Sequence, residues 1–150
     1  MRVSTRTRRR VPEDSRRGVV DTSVVIDLER IDPSELPGEM AISAVTLAEL
    51  TAGPHATRSG SERAKRQDRL QRTEAMFDPI PFDAAAARSF GRIYEAVAAA
   101  GRKPRGRRTT DLLIAATALA AGLPLYTRNP DDFAGLADLL EVRTVGLAAG

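Results

Sequence analysis

Four short apolar runs in this chain each meet a carboxylate. Val19 and Val20 run into Asp21, residues 46–50 contain Glu49, Asp111 opens residues 112–121, and residues 125–127 lead to Asp131 and Asp132. Runs this short, alternating with segments of helical spacing, constrain the fold to α/β: a mostly parallel sheet with helices on both faces. In such a fold, acids at element ends collect at one edge of the sheet, where several oxygens can surround a divalent cation. The pattern points to metal-assisted phosphodiester chemistry.

Length and composition narrow the field. The chain has 150 residues, which fits a single domain, and a domain of that size buries roughly 70% of its unfolded surface without needing staples. It contains no cysteine, which removes disulfide frameworks, thiolate metal sites and cysteine nucleophiles and fits a cytoplasmic location. The single histidine, His55, cannot supply a histidine acid and base pair. No apolar stretch approaches the roughly 20 residues of a membrane span, and the basic start is followed by Pro12, Glu13 and Asp14 in place of an apolar signal region.

The formal charge of +3 is unevenly placed. Residues 1–18 carry seven arginines and two acids, net +5, leaving sixteen basic and eighteen acidic residues, net −2, for residues 19–150. Residues 1–18 therefore read as a disordered basic arm, dispensable for folding, with residues 19–150 forming the domain. The same arm is compatible with an RNA-binding role or with a start site further in, at Val11 or Val19. Inside the domain the dense cationic run is Arg102, Lys103, Arg105, Arg107 and Arg108, just before Asp111. It suits a phosphate grip beside the acids as well as it suits a solvated loop.

The remaining pattern predicts a strand over residues 18–21 and a helix over 22–30, then a loop rich in proline and glycine. A second strand follows over 39–43, with a helix over 45–52 stopped by Gly53 and Pro54. Residues 61–76 form a charged, peripheral helix, 77–82 an edge segment limited by proline, and Asp83 caps a helix to about residue 100. A loop over 101–108 precedes the most apolar helix, 109–121. A strand over 123–127, a helical turn over 131–136 and a strand over 141–145 complete the set.

Each acid also has a plain structural reading. Asp21 can cap the helix after it, although Ser23 is placed to hydrogen-bond and orient its carboxylate. Glu49, among apolar neighbours, must face solvent or be held at a site, because burying it unpaired is costly. Asp111 suits the first turn of its helix through the dipole, with Thr109 or Thr110 as cap. Asp131 and Asp132 follow Asn129 and Pro130, a common turn composition.

Taken in order, Val20-Asp21-Thr22-Ser23-Val24, Ser43-Ala44-Val45-Thr46-Leu47-Ala48-Glu49-Leu50, Asp111-Leu112-Leu113-Ile114-Ala115-Ala116 and Thr127-Arg128-Asn129-Pro130-Asp131-Asp132-Phe133 resemble the signatures of PIN-domain ribonucleases. The similarity is greatest to the VapC toxins of bacterial type II toxin-antitoxin systems, and it covers residues 19 to about 145. It implies a PIN-like fold and a Mg²⁺-dependent endoribonuclease, with Mn²⁺ as an alternative ion. It also implies that Asp21 and Asp111 bind the metal, that Glu49 completes the cluster, and that Asp132 is the fourth acid. Asn129 and Asp131 compete for that fourth place. The resemblance further implies products with a 5′-phosphate and a 3′-hydroxyl, a VapB-type antitoxin that covers the acidic pocket, and a homodimer. With no tryptophan and few aromatic residues, recognition by base stacking is minor, which favours structured RNA over a long single strand.

Other classes fit less well. A phosphoacceptor receiver would need adjacent acids early and a lysine late. An aspartyl-nucleophile phosphohydrolase would want an acid where Ser23 stands. The remaining alternative is a non-catalytic PIN-like scaffold that binds RNA or protein through its arginines, and metal-dependent cleavage distinguishes it from the enzyme.

Overall fold

The computed structural model describes residues 16–149. Four strands, β1 (Arg17–Val20), β2 (Glu39–Ala41), β3 (Leu125–Thr127) and β4 (Val142–Thr144), form one sheet in the order β2-β1-β3-β4. All three pairings are parallel, with Gly18 opposite Met40, Val19 opposite Leu125 and Tyr126 opposite Arg143. The helices are α1 (Thr22–Ile26), α2 (Ala44–Ala52), α3 (Gly60–Met76), α4 (Ala84–Ala99) and α5 (Arg107–Ala121).

Alternation along the strands builds two cores. Val19 and Leu125 point to one face and pack with Ile93 and Val97 of α4 and Leu112, Ile114 and Ala115 of α5. Their neighbours Val20 and Tyr126 point to the other face, against Val24 and Val25 of α1, Leu50 of α2 and Leu70 of α3. A period of two in a strand requires this division. Each fully buried Val, Ile or Leu contributes roughly 1.5–3 kcal/mol relative to exposure. Gly18 stands where β1 passes the Tyr126 ring; a Cβ there would lie 2.5 Å from that ring, so a side chain would force the two strands apart.

The expected sheet and order of elements are present, the sheet wholly parallel where a mostly parallel one was expected, with several shifts. The helix expected over 22–30 ends at Ile26; Asp27 caps it and Leu28–Arg30 tighten into a 3₁₀ turn. Helix α2 ends at Ala52 with Gly53 as its C-cap, as expected, although Gly53 keeps right-handed helical angles and Gly53–Ala56 run on as a 3₁₀ turn. The edge segment 77–82 contributes a single bridge, Ser43 with Ile80. Helix α5 begins at Arg107, two residues earlier than expected, after Gly106 at φ 57°. Neither Thr109 nor Thr110 is therefore a cap, and Asp111 sits in the second turn.

The expected basic arm falls largely on residues 1–15, outside the described residues, whereas Arg17 and Gly18 belong to β1. Among the described residues no helix is long and apolar enough to cross a membrane.

Candidate active site

The carboxyl ends of β1 and β3 and the starts of α1 and α5 frame a cleft of about 290 Å³ lined by Asp21, Glu49, Arg107, Arg108, Asp111, Asn129 and Asp132, with Thr22 and Ser23 at its base. The four acids singled out from sequence thus meet in one place. Of the three competitors for the fourth position, Asn129 and Asp132 line the cleft, while Asp131 is exposed and outside the lining.

Asp21 follows the last residue of β1, and its backbone N–H still pairs with the Tyr126 carbonyl of β3 at 3.0 Å. It is only 4% exposed. As N-cap of α1 it accepts from the Val24 N–H at 3.1 Å, and Ser23 Oγ donates to Oδ1 at 2.5 Å. Burial pushes its pKa above the usual carboxylate value, opposed by hydrogen bonds from Ser23, from Thr127 of β3 and from the Val24 N–H. Asp21 is the N-cap of α1, and it also has the Ser23 hydrogen bond expected to orient its carboxylate.

Glu49 projects from α2, two turns after its Ser43 cap. Thr22 Oγ1 donates to Glu49 Oε1 at 2.7 Å and lies 3.1 Å from the hydroxyl of buried Thr46. The glutamate escapes unpaired burial because the neighbouring helix start supplies a donor.

Asp111 differs. Among the described residues no hydrogen bond reaches its carboxylate. Burial first, then the charges of Asp132, Glu49 and Asp21, push its pKa up to about 7, with Arg107 pulling the other way. Because α5 starts at Arg107, this arginine and Asp111 stand at positions i and i+4, one above the other on the same helix face. The early start carries Arg107 and Arg108 into the cleft, where the sequence placed them in a loop; Arg102 instead donates to the Asp131 carbonyl at 2.7 Å.

The donor set is oxygen only, which suits a hard cation. Like charges crowd Asp111, and a bound cation relieves that repulsion directly. Among the described residues no three acidic or histidine side chains close on a single point as a ready cage. The donor set and the crowding at Asp111 fit a hard cation, with Asp21 and Asp111 its candidate direct ligands.

Sequence reasoning missed Thr22, which holds Glu49, and Thr127, which bonds Asp21 and accepts from the Asn129 N–H at 3.0 Å. Each is a hydroxyl next to a strand or helix end beside an acid, a detectable but common signal.

Residues 18–139 match the family described as PIN domain, and with a four-stranded parallel sheet carrying acids at its carboxyl edge, the chain belongs to the PIN-domain family. Ribonuclease VapC5 of Mycobacterium tuberculosis is 39% identical over 122 residues, covering 79% of this chain and 87% of that protein. Ribonuclease VapC1 of Rickettsia felis is 32% identical over 135 residues, covering 85% and 95%. In structure, the chain resembles a member of the VapBC family of toxin-antitoxin systems, VapBC-5 from Mycobacterium tuberculosis. That match has a TM-score of 0.74 and 37% identity over 87% of this chain and 98% of that one. Within the PIN-domain family, the chain is similar to VapC proteins in both sequence and fold.

Proposed function

We propose that this protein is a metal-dependent endoribonuclease, the toxin of a VapBC-type module, whose cleft cuts RNA phosphodiester bonds. The observation that carries the reading is the convergence of Asp21, Glu49, Asp111 and Asp132 on one cleft with Arg107 and Arg108 beside them. When bound, Mg²⁺ or Mn²⁺ would polarise the scissile phosphate and lower the pKa of a water toward that of a usable nucleophile. Asp21, held in one orientation by Ser23 and the Val24 N–H, would be one residue holding the ion. Asp111 of α5 would be the other. Glu49, with Oε1 taken by Thr22, would orient the attacking water through Oε2, with Asp132 of the same cleft assisting. Arg107 and Arg108 supply charge-assisted contacts to the phosphate before and during displacement.

The partners follow from the same charge pattern. A VapB-type antitoxin that places a basic side chain among the acids would relieve Asp111 as a cation does and exclude substrate, and the protein pairs as a homodimer in this reading. Light scattering of the protein alone and with the antitoxin reads both assemblies.

The deciding experiment uses purified protein and a labelled, structured RNA. Cleavage is expected with Mg²⁺ or Mn²⁺, is abolished by chelator, and leaves a 5′-phosphate and a 3′-hydroxyl. Undiminished cutting by folded Asp21→Asn and Asp111→Asn variants would sink the assignment and favour a non-catalytic scaffold.

A further inference from the structure

Asn129 and Asp132 reach the cleft on a turn that leaves β3 at Thr127, and the contacts fixing that turn lie largely outside the acid cluster. On the α1 side, the Arg128 N–H donates to Ser23 Oγ at 3.1 Å, the same hydroxyl that donates to Asp21. The Arg128 guanidinium then forms an ion pair with Asp27. Asp27 is the C-cap of α1, the five-residue helix whose N-cap is Asp21. Both ends of this helix are therefore tied into the turn, one through Ser23 and the other through the ion pair.

The pair is largely withdrawn from solvent, with side chains 28% exposed for Arg128 and 17% for Asp27. Its hydrogen bonding is incomplete, because Arg128 Nε is buried without a partner. An ion pair of this kind is a poor device for stability, since desolvation offsets much of its attraction. Its directionality suits it to holding one geometry.

We propose that Arg128 and Asp27 are positioning residues: their ion pair locks the turn against α1 so that Asn129 and Asp132 face Asp21 and Asp111 across the cleft. The proposal rests on the metal-site reading given above and adds two residues that need not touch metal or RNA. Orienting partners one step removed from a metal commonly change its affinity or the activity by about 10–100-fold when lost.

The test combines metal binding, kinetics and folding. Mn²⁺ alone is titrated by the loss of its free-ion EPR signal into the parent, Asp111→Asn, Asp27→Asn, Arg128→Met and the apolar double variant Asp27→Leu/Arg128→Met. The double variant keeps the test valid if a single variant fails to fold, because apolar replacement of both partners leaves no unpaired buried charge. The expected result is a folded double variant with Mn²⁺ affinity and kcat about 10-fold or more below the parent, an unchanged KM for RNA, and losses no greater than those of a folded single variant. Arg128→Lys should recover part of the loss.

Parent-like Mn²⁺ affinity and kcat in the folded double variant would overturn the proposal and reduce the pair to a brace. Additive losses from the two singles would also overturn it. If the parent itself binds no Mn²⁺, or Asp111→Asn binds it equally, the metal-site reading fails and takes this proposal with it.

Discussion

Asp21 and Asp111 line the same cleft, yet they are held in different ways. At Asp21 strand pairing fixes the backbone, and Ser23, Val24 and Thr127 donate to the carboxylate, partly offsetting the burial that raises its pKa. The Asp111 wall is frustrated, with burial and three like charges opposing ionisation and Arg107 offsetting them in part. The fold supplies donors to one carboxylate and like charges to the other. The difference teaches that a carboxylate can be kept at an element end for capping or for chemistry, and that its donors tell which role the fold itself satisfies.

The largest expected effect treats the two walls as equals. Asp21→Asn and Asp111→Asn should each lower kcat by about 10³-fold or more, equivalent to roughly 4 kcal/mol of transition-state stabilisation. A quantitative RNA cleavage assay on folded variants reads this, and a mild effect at either position would break the symmetry of roles.

Stability should separate them. Asp21→Ala strands the Ser23, Val24 and Thr127 donors and removes a helix cap, at a cost of about 1–3 kcal/mol. Asp111→Asn should instead stabilise the metal-free protein at pH 8 by about 1–2 kcal/mol, after allowance for solvent screening of a half-buried group. Denaturant unfolding in chelator measures both signs, and equal destabilisation would refute the contrast.

A smaller effect is in the pH dependence. The folded pKa of Asp111, about 7, lies above the value of about 3.9 in an unfolded chain. Between these values the native state binds the extra proton, so this group's contribution to metal-free stability is present at low pH and lost as pH rises through about 7. Asp111→Asn should flatten that slope, and Mg²⁺ should raise the parent's Tm more at pH 8 than at pH 6.

The smallest effect concerns the arginines. Replacing Arg107 and Arg108 by alanine should weaken RNA binding by about 10-fold and reduce its salt slope by roughly 1–2, whereas Arg105→Ala, outside the cleft lining, should change little. Binding isotherms at several salt concentrations would show it. Without Arg107, Asp111 should also titrate higher.

The strands, their parallel arrangement and the four acids were legible because Val19-Val20 and Leu125-Tyr126-Thr127 are short, buried-type runs that meet acids directly. Helix ends were less legible. At α5 the chain offered two threonines as conventional caps, while the fold turned at Gly106, whose positive φ needs no side-chain signal. That two-residue difference moved Arg107 and Arg108 from an assumed loop onto the face of Asp111. At α1, apolar spacing continued through Leu28, but Asp27 ends the helix as its C-cap and pairs with Arg128, a partner visible only in three dimensions. Choosing among Asn129, Asp131 and Asp132 likewise required the turn's shape, because adjacent residues in a 3₁₀ turn point to different sides.

The strand order has a consequence for how the protein is made. β1 lies between β2 and β3, so the first strand must hold a place open for a neighbour translated much later. Ser23 and Arg128, which meet at the site, are 105 residues apart in the chain. At about 5–20 residues per second, a ribosome needs several seconds or more to span that gap. Until β3 and its turn emerge, Asp21 lacks Thr127 and the cleft lacks Asn129 and Asp132. A nascent chain therefore has an incomplete cleft for most of its synthesis.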